Sequence, residues 1–231
     1  MSIMFLLIFF QCSLTGQENA LPKFQQDFIY EILPVIRTVN AEITDQRNFV
    51  SNIIIKLEQQ TDLTDQEKTD LHQLLEYYRI KTTLPIDSLL NSPESLDSLL
   101  LKIDIIPEKI ALAQAAIESD WGRSRFAREG NSFFGIRCNQ PGCGIVPNGA
   151  ANEGFYVKSY PSIDESVRNY ARFLNAGTYY DDFRKRRNLY RSNGQKPDSL
   201  YIVEGLTMYS IKRDRYIKSL KSLIKYNFAG F

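Results

Sequence analysis

With 231 residues, 43% hydrophobic and 24% charged, the chain has the length for one medium domain, or for a small domain with a helical extension, and a composition ordinary for a packed core. Lys and Arg number 28 against 27 Asp and Glu, so the net charge of +1 removes any electrostatic case for nucleic acid as a partner. The 13 Tyr and 14 Phe, beside 1 Trp, suit ordinary packing or a stackable polar ligand equally well.

The chain opens with an apolar run, Ile3 to Phe10, too short to cross a bilayer as a helix. Followed by the small residues Ser13, Thr15 and Gly16, it reads as a secretory leader over residues 1–16. Cys12 offers a lipid-attachment point in the same stretch, and a buried N-terminal helical turn is the third reading.

Residues 20–103 carry helical periodicity throughout and read as a helical N-terminal domain. Phe24, Phe28, Ile32, Val35 and Ile36 share a face, with Pro34 expected to kink the segment. A separate helix is expected from about Asp45 to Gln60. A third starts at Thr64, where Thr64 and Glu67 have capping-box spacing. His72 on that helix is expected to face solvent. Ser92-Pro93 opens a further short helix.

The segment from Pro107 to Gly122 differs from these. It is apolar nearly all round, with Ile110, Ala113, Gln114 and Ile117 on one face, and so predicts a buried helix that Gly122 ends. A short helix from Ser124 to Glu129 follows, ending at Gly130. From Asn131 to Tyr160 the aromatic and β-branched residues around Phe133–Cys138 and Gly154–Tyr160 predict a hairpin or small sheet with a long Gly- and Pro-rich tip. Cys138 and Cys143 bracket Asn-Gln-Pro-Gly. In an exported chain this spacing suggests a disulfide, with buried free thiols as the alternative. A zinc site would need two more ligands, and His72, the only histidine, is far away in sequence, so no metal or organic cofactor is expected. Helices then follow from Ser162 (with Glu165 as a second capping box) to Gly177, from Asp181 to Tyr190, from Asp198 to Val203 and from Arg213 to Tyr226. Arg184 to Arg187 reads as a solvated basic face.

Glu118 stands at the end of the buried helix, just before Ser119, Asp120 and Trp121. Burial there disfavours the charged carboxylate and raises its pKa, which suits a proton donor. On spacing alone, a capping or solvated carboxylate is the more ordinary reading.

The stretch Ala111-Leu-Ala-Gln-Ala-Ala-Ile-Glu-Ser-Asp-Trp-Gly122, continued by Ser124-Arg-Phe-Ala-Arg-Glu-Gly-Asn-Ser-Phe-Phe-Gly135, closely resembles the glucosaminidase domain of glycoside hydrolase family 73. Tyr160-Pro-Ser-Ile-Asp-Glu-Ser-Val-Arg-Asn-Tyr170, Phe183–Arg187 and the Phe28–Arg47 region resemble its Bax-type branch. The resemblance implies a mainly α fold of the α+β kind, a lysozyme-like helical domain with a small β-lobe over residues 104–231. It implies hydrolysis of the β-1,4 bond after N-acetylglucosamine in peptidoglycan, with Glu118 as general acid. That makes glycan strands the partner and the cell envelope or periplasm the location, with membrane attachment possible through the N-terminus.

The second group is read through the same resemblance. Glu153, before Gly154-Phe155-Tyr156, corresponds to the acidic β-lobe residue that activates water or steadies the cationic transition state; the substrate's own acetamido oxygen is the alternative. Tyr209 is the candidate for the family's sugar-supporting tyrosine, although the wording around it departs from the usual pattern. Trp121, Phe134 and Tyr156 are candidate walls of a sugar cleft, with core packing as the other reading for each. Asp120 stands where relatives often carry a small residue, and its charge would raise the acid's pKa further. A lytic transglycosylase of the same fold and a non-catalytic wall-binding protein are the rival functions.

Overall fold

A computed structural model describes residues 21–80, 93–149 and 154–231. The expected leader and Glu153 lie outside the described residues. The architecture is mainly helical with one small antiparallel sheet, the expected lysozyme-like arrangement of helices and β-lobe.

The first helix, α1 (Lys23–Glu58), runs unbroken for 36 residues, where the sequence suggested two helices. Pro34 sits inside it, and the helix continues past it. Polar residues between the two expected segments are docking points. Asn40 donates to the Ile106 carbonyl and accepts from the Ile106 amide, both at 2.9 Å. Glu42 receives a two-pronged bond from Arg168 at 2.8 and 2.7 Å. Arg37 meets Glu108 at 3.0 Å, at the first turn of a later helix. Tertiary contacts thus supply what local periodicity did not.

α2 (Asp65–Tyr77) begins with the Thr64–Glu67 capping box in full, and His72 is exposed on it as expected. α3 (Pro93–Lys102) starts at a proline, whose missing amide proton costs nothing at the first helical position. α4 (Glu108–Ser119) is the buried helix: every residue from Ile110 to Ala116 is inside. α1 packs along α4 and along α6 (Ile163–Ala176). Buried side chains of α1, α4 and α6 belong to one continuous apolar cluster. α5 (Arg125–Gly130) is capped by Ser124, and its left-handed terminal residue is Asn131, whose side chain donates to the Tyr160 carbonyl at 3.0 Å.

The sheet has three short strands, β1 (Arg137–Cys138), β2 (Gly144–Ile145) and β3 (Tyr156–Lys158), in the order β1-β3-β2. Arg137 pairs with Val157 and Gly144 with Lys158. Cys138 and Cys143 are joined as a disulfide across the turn between the first two strands. α7 (Asp181–Ser192), α8 (Ser199–Ile202) and α9 (Asp214–Tyr226) complete the fold.

The basic stretch on α7 is not a solvated face. Arg184 is 4% exposed and Arg187 2%. One nitrogen of Arg184 donates to the carbonyls of Leu174, Asn175 and Gly177 at 2.9, 3.3 and 2.7 Å, satisfying the orphan acceptors at the end of α6. Arg187 does the same beyond α3, donating to the carbonyls of Asp104 and Ile105, each at 3.0 Å, and to the Asn175 side chain at 2.8 Å. Arg47 covers the Leu100 and Ile103 carbonyls from α1. These arginines end helices by filling their terminal acceptors, a role that charge density along the chain does not reveal. Among the described residues, no helix is long and apolar enough to cross a membrane.

Candidate active site

α4 stops at Ser119 because three left-handed residues follow. Asp120, Trp121 and Gly122 have φ of 51°, 54° and 74°. The turn therefore begins two residues before the glycine that was expected to end the helix. Buried Ser119 holds it: its hydroxyl donates to the Ala115 carbonyl at 2.6 Å and accepts from the Gly122 amide at 2.8 Å. This turn leaves Glu118 as the last acidic side chain on the rigid helix, facing an opening.

That opening is a cleft of about 460 Å³. Glu118 lies in its wall with Phe134, Gly135, Ile136 and Arg137 on one side and Phe173, Tyr180 and the Met208–Ile211 loop on the other. Ile211 is 96% exposed at the rim. Glu118 is the one carboxylate among the described lining residues. Burial raises its pKa above the ordinary glutamate value, while the neighbouring Tyr216 hydroxyl and the positive charge of Lys212 pull it part of the way back. Asp120 is not part of this electrostatic setting. It is exposed and paired with Arg123 at 2.8 Å.

Gly135 makes room for the acid. Its φ is +62°, and a Cβ placed there would lie 2.8 Å from the Glu118 Oε2 atom. Gly135→Ala is expected to displace the carboxyl and strain the backbone at once. Turnover should fall on the order of a hundredfold, the usual cost of misplacing a reacting group by about 1 Å. Steady-state kinetics beside a melting curve would separate this loss from unfolding.

Three of the sequence candidates therefore meet: Glu118, Phe134 and Tyr209 line one cleft. Their roles differ in detail. The Phe134 ring is buried, stacked on Tyr170 at 3.8 Å, and its carbonyl accepts from the Tyr209 hydroxyl at 2.7 Å. Phe134 thus shapes the wall from behind, without presenting its ring to a ligand. Tyr209 stacks parallel to Tyr216 at 5.7 Å and ties the 207–213 loop to the opposite wall. Trp121 lies elsewhere, among the rings of Phe24, Phe28 and Phe228, where it fastens the start of α1 to the end of the chain. Tyr156 is half-buried on β3 and is not part of the cleft wall. Among the described residues, no group of three or more His, Cys, Asp or Glu is placed to hold a metal ion.

Sequence reasoning passed over the groups behind Glu118. Tyr170 donates to the Gln114 Oε1 atom at 2.8 Å, and Gln114 Nε2 donates to the Tyr216 oxygen at 3.0 Å. The available signal was Gln114 itself, an amide on a helix that is otherwise apolar, since a fully buried amide requires partners.

The family model for mannosyl-glycoprotein endo-beta-N-acetylglucosaminidase matches residues 94–228, more than half of the 231. The chain belongs to this glucosaminidase family. Glu118 and the described cleft residues all lie inside the matched span of the glucosaminidase domain. Protein bax of Escherichia coli K12 is 29% identical over 200 residues, covering 87% of this chain and 68% of its own. No solved structure matches significantly. Glucosaminidase membership makes this a glycosidase domain related to peptidoglycan breakdown.

Proposed function

We propose that the chain is a peptidoglycan hydrolase that cleaves the β-1,4 glycosidic bond after N-acetylglucosamine. The observation that carries this reading is Glu118: one carboxyl at the rigid end of a buried helix, opening into a cleft, with burial favouring its protonated form. Such a group can protonate a glycosidic oxygen as the bond breaks. Tyr209 and the exposed apolar rim beside it provide surface for the sugar ring. The developing positive charge falls to Glu153 or to the substrate's acetamido oxygen. Substrate lies in the envelope, so the chain acts after export. The Cys138–Cys143 bridge supports that location, since disulfides persist in oxidising compartments.

Purified peptidoglycan digested with the full chain and analysed by mass spectrometry is expected to yield fragments ending in reducing N-acetylglucosamine. Anhydro-muramic ends would assign the fold to a lytic transglycosylase instead. Binding to insoluble wall with no released fragments would leave a non-catalytic wall-binding protein.

A further inference from the structure

The cleft around Glu118 has two unlike sides. On one, Phe173, Tyr179, Met208 and Ile211 are all exposed, Tyr179 by 72%. Exposed apolar side chains scattered singly need no explanation, but four on one side of one cleft mark a binding surface. On the other side stands Arg137, the one cation among the described lining residues. It is exposed on β1, and its guanidinium carbon lies 4.0 Å from the centre of the Phe155 ring, which comes from the chain just before β3. Apolar walls with a few placed polar groups are the usual build of a ligand site, and the polar groups set its specificity.

Other arginines spend their charge on carboxylates of the chain: Arg168 on Glu42, Arg186 on Glu204 and Arg191 on Asp104. Among the described residues, the Arg137 side chain donates to no carboxylate or carbonyl, and the Phe155 ring is its one side-chain partner. A ring contact holds a guanidinium by its charge and flat face, without taking up its five N–H donors. A fork of donors that is held in place and unspent matches a planar carboxylate.

We propose that Arg137 binds a carboxylate carried on the lactyl arm of muramic acid, so that the cleft selects acidic wall strands over neutral polymers of N-acetylglucosamine. The inference rests on the reading of the cleft as the seat of the glycan and adds a specificity residue to it. The carboxylate has two sources. On a bare strand it is the lactyl acid itself. On a strand that keeps its peptides that acid is an amide, and the charge sits on the stem peptide. A neutral polymer offers neither and uses only the apolar side.

The test measures affinity by calorimetry in the full chain carrying Glu118→Gln, so that no strand is cut. Three ligands of matched length are compared: stem-bearing strands from purified wall, the same strands stripped of peptide by an amidase, and chitin oligosaccharides. Before Arg137 is changed, at least one acidic ligand should bind more tightly than chitin. Adding Arg137→Gln is expected to weaken that acidic ligand by about tenfold, the loss of one hydrogen bond to a charged group, and to leave chitin binding unchanged. Loss on stem-bearing strands alone puts the carboxylate on the stem, and loss on stripped strands alone puts it on the lactyl acid. Arg137→Lys keeps the charge without the fork, so it should show a smaller loss on the same ligand, and it carries the test should Arg137→Gln not fold. An arginine that only lies across Phe155 and steadies the β1–β3 pair would weaken all three ligands alike. That result in a folded variant, no weakening of any ligand, or no preference over chitin at the outset overturns the proposal. A wild-type chain that releases nothing from the wall would remove the hydrolase reading, and the three affinities would still decide the role of Arg137.

Discussion

Asp104→Ala is expected to destabilise the fold by about 3–5 kcal/mol, the range seen when one partner of a buried ion pair is removed. Asp104 is buried beside Arg187, with Arg191 bonded to its carboxylate and Arg47 close by. Burial alone would raise its pKa, but the Arg191 hydrogen bond and the charges of Arg187, Arg191 and Arg47 outweigh that and hold it below the usual aspartate value. Arg187 is pushed down by burial to about 10, so it remains charged at neutral pH. Removing the carboxylate leaves buried positive charge with no compensation. The folded pKa of Asp104 lies below the unfolded one. Its contribution is therefore complete at neutral pH, above the unfolded value, and is lost as pH falls through the depressed folded value. Chemical denaturation of wild type and variant should differ most near pH 7, with the gap closing in strong acid. Arg191→Ala should cost less, because that side chain is 40% exposed. A variant as stable as wild type at pH 7 would show that these charges do not hold the junction between α3 and α7.

The sequence revealed those features that depend on local chemistry. The α4 helix was visible because Ala and Ile leave no polar face, and the start of α2 was visible because Thr64 and Glu67 answer each other within one turn. The bridge between Cys138 and Cys143 was one of the readings that their spacing around a turn left open. Features that depend on distant partners were hidden. Asn40 and Glu42 lie between the two expected helical segments and Arg47 inside the second, and each is spent on a segment far along the chain. Arg184 and Arg187 looked like surface charge because nothing local shows which carbonyls will need donors.

The site divides the same way. Glu118 could be picked out because a helix end and a matching run of residues mark it. Gln114, Tyr170 and Tyr216 come from three helices and acquire meaning only when the fold joins them. Trp121 attracted attention as the single tryptophan beside the acid. The left-handed turn carries it to the aromatic cluster of α1, away from the cleft.

The acid itself is tested by Glu118→Gln, which keeps the size and hydrogen-bonding capacity of the side chain but cannot surrender a proton. General acid catalysis contributes roughly 10²–10⁴-fold, so release of muropeptides from purified peptidoglycan should fall by about that factor. Circular dichroism should remain that of wild type, since the amide matches the carboxyl in size and buries no charge. Such a loss in a folded protein is the expected result. Turnover equal to wild type would contradict the assignment of Glu118 as proton donor, and with it the reading of the cleft as the place where the glycan is cut.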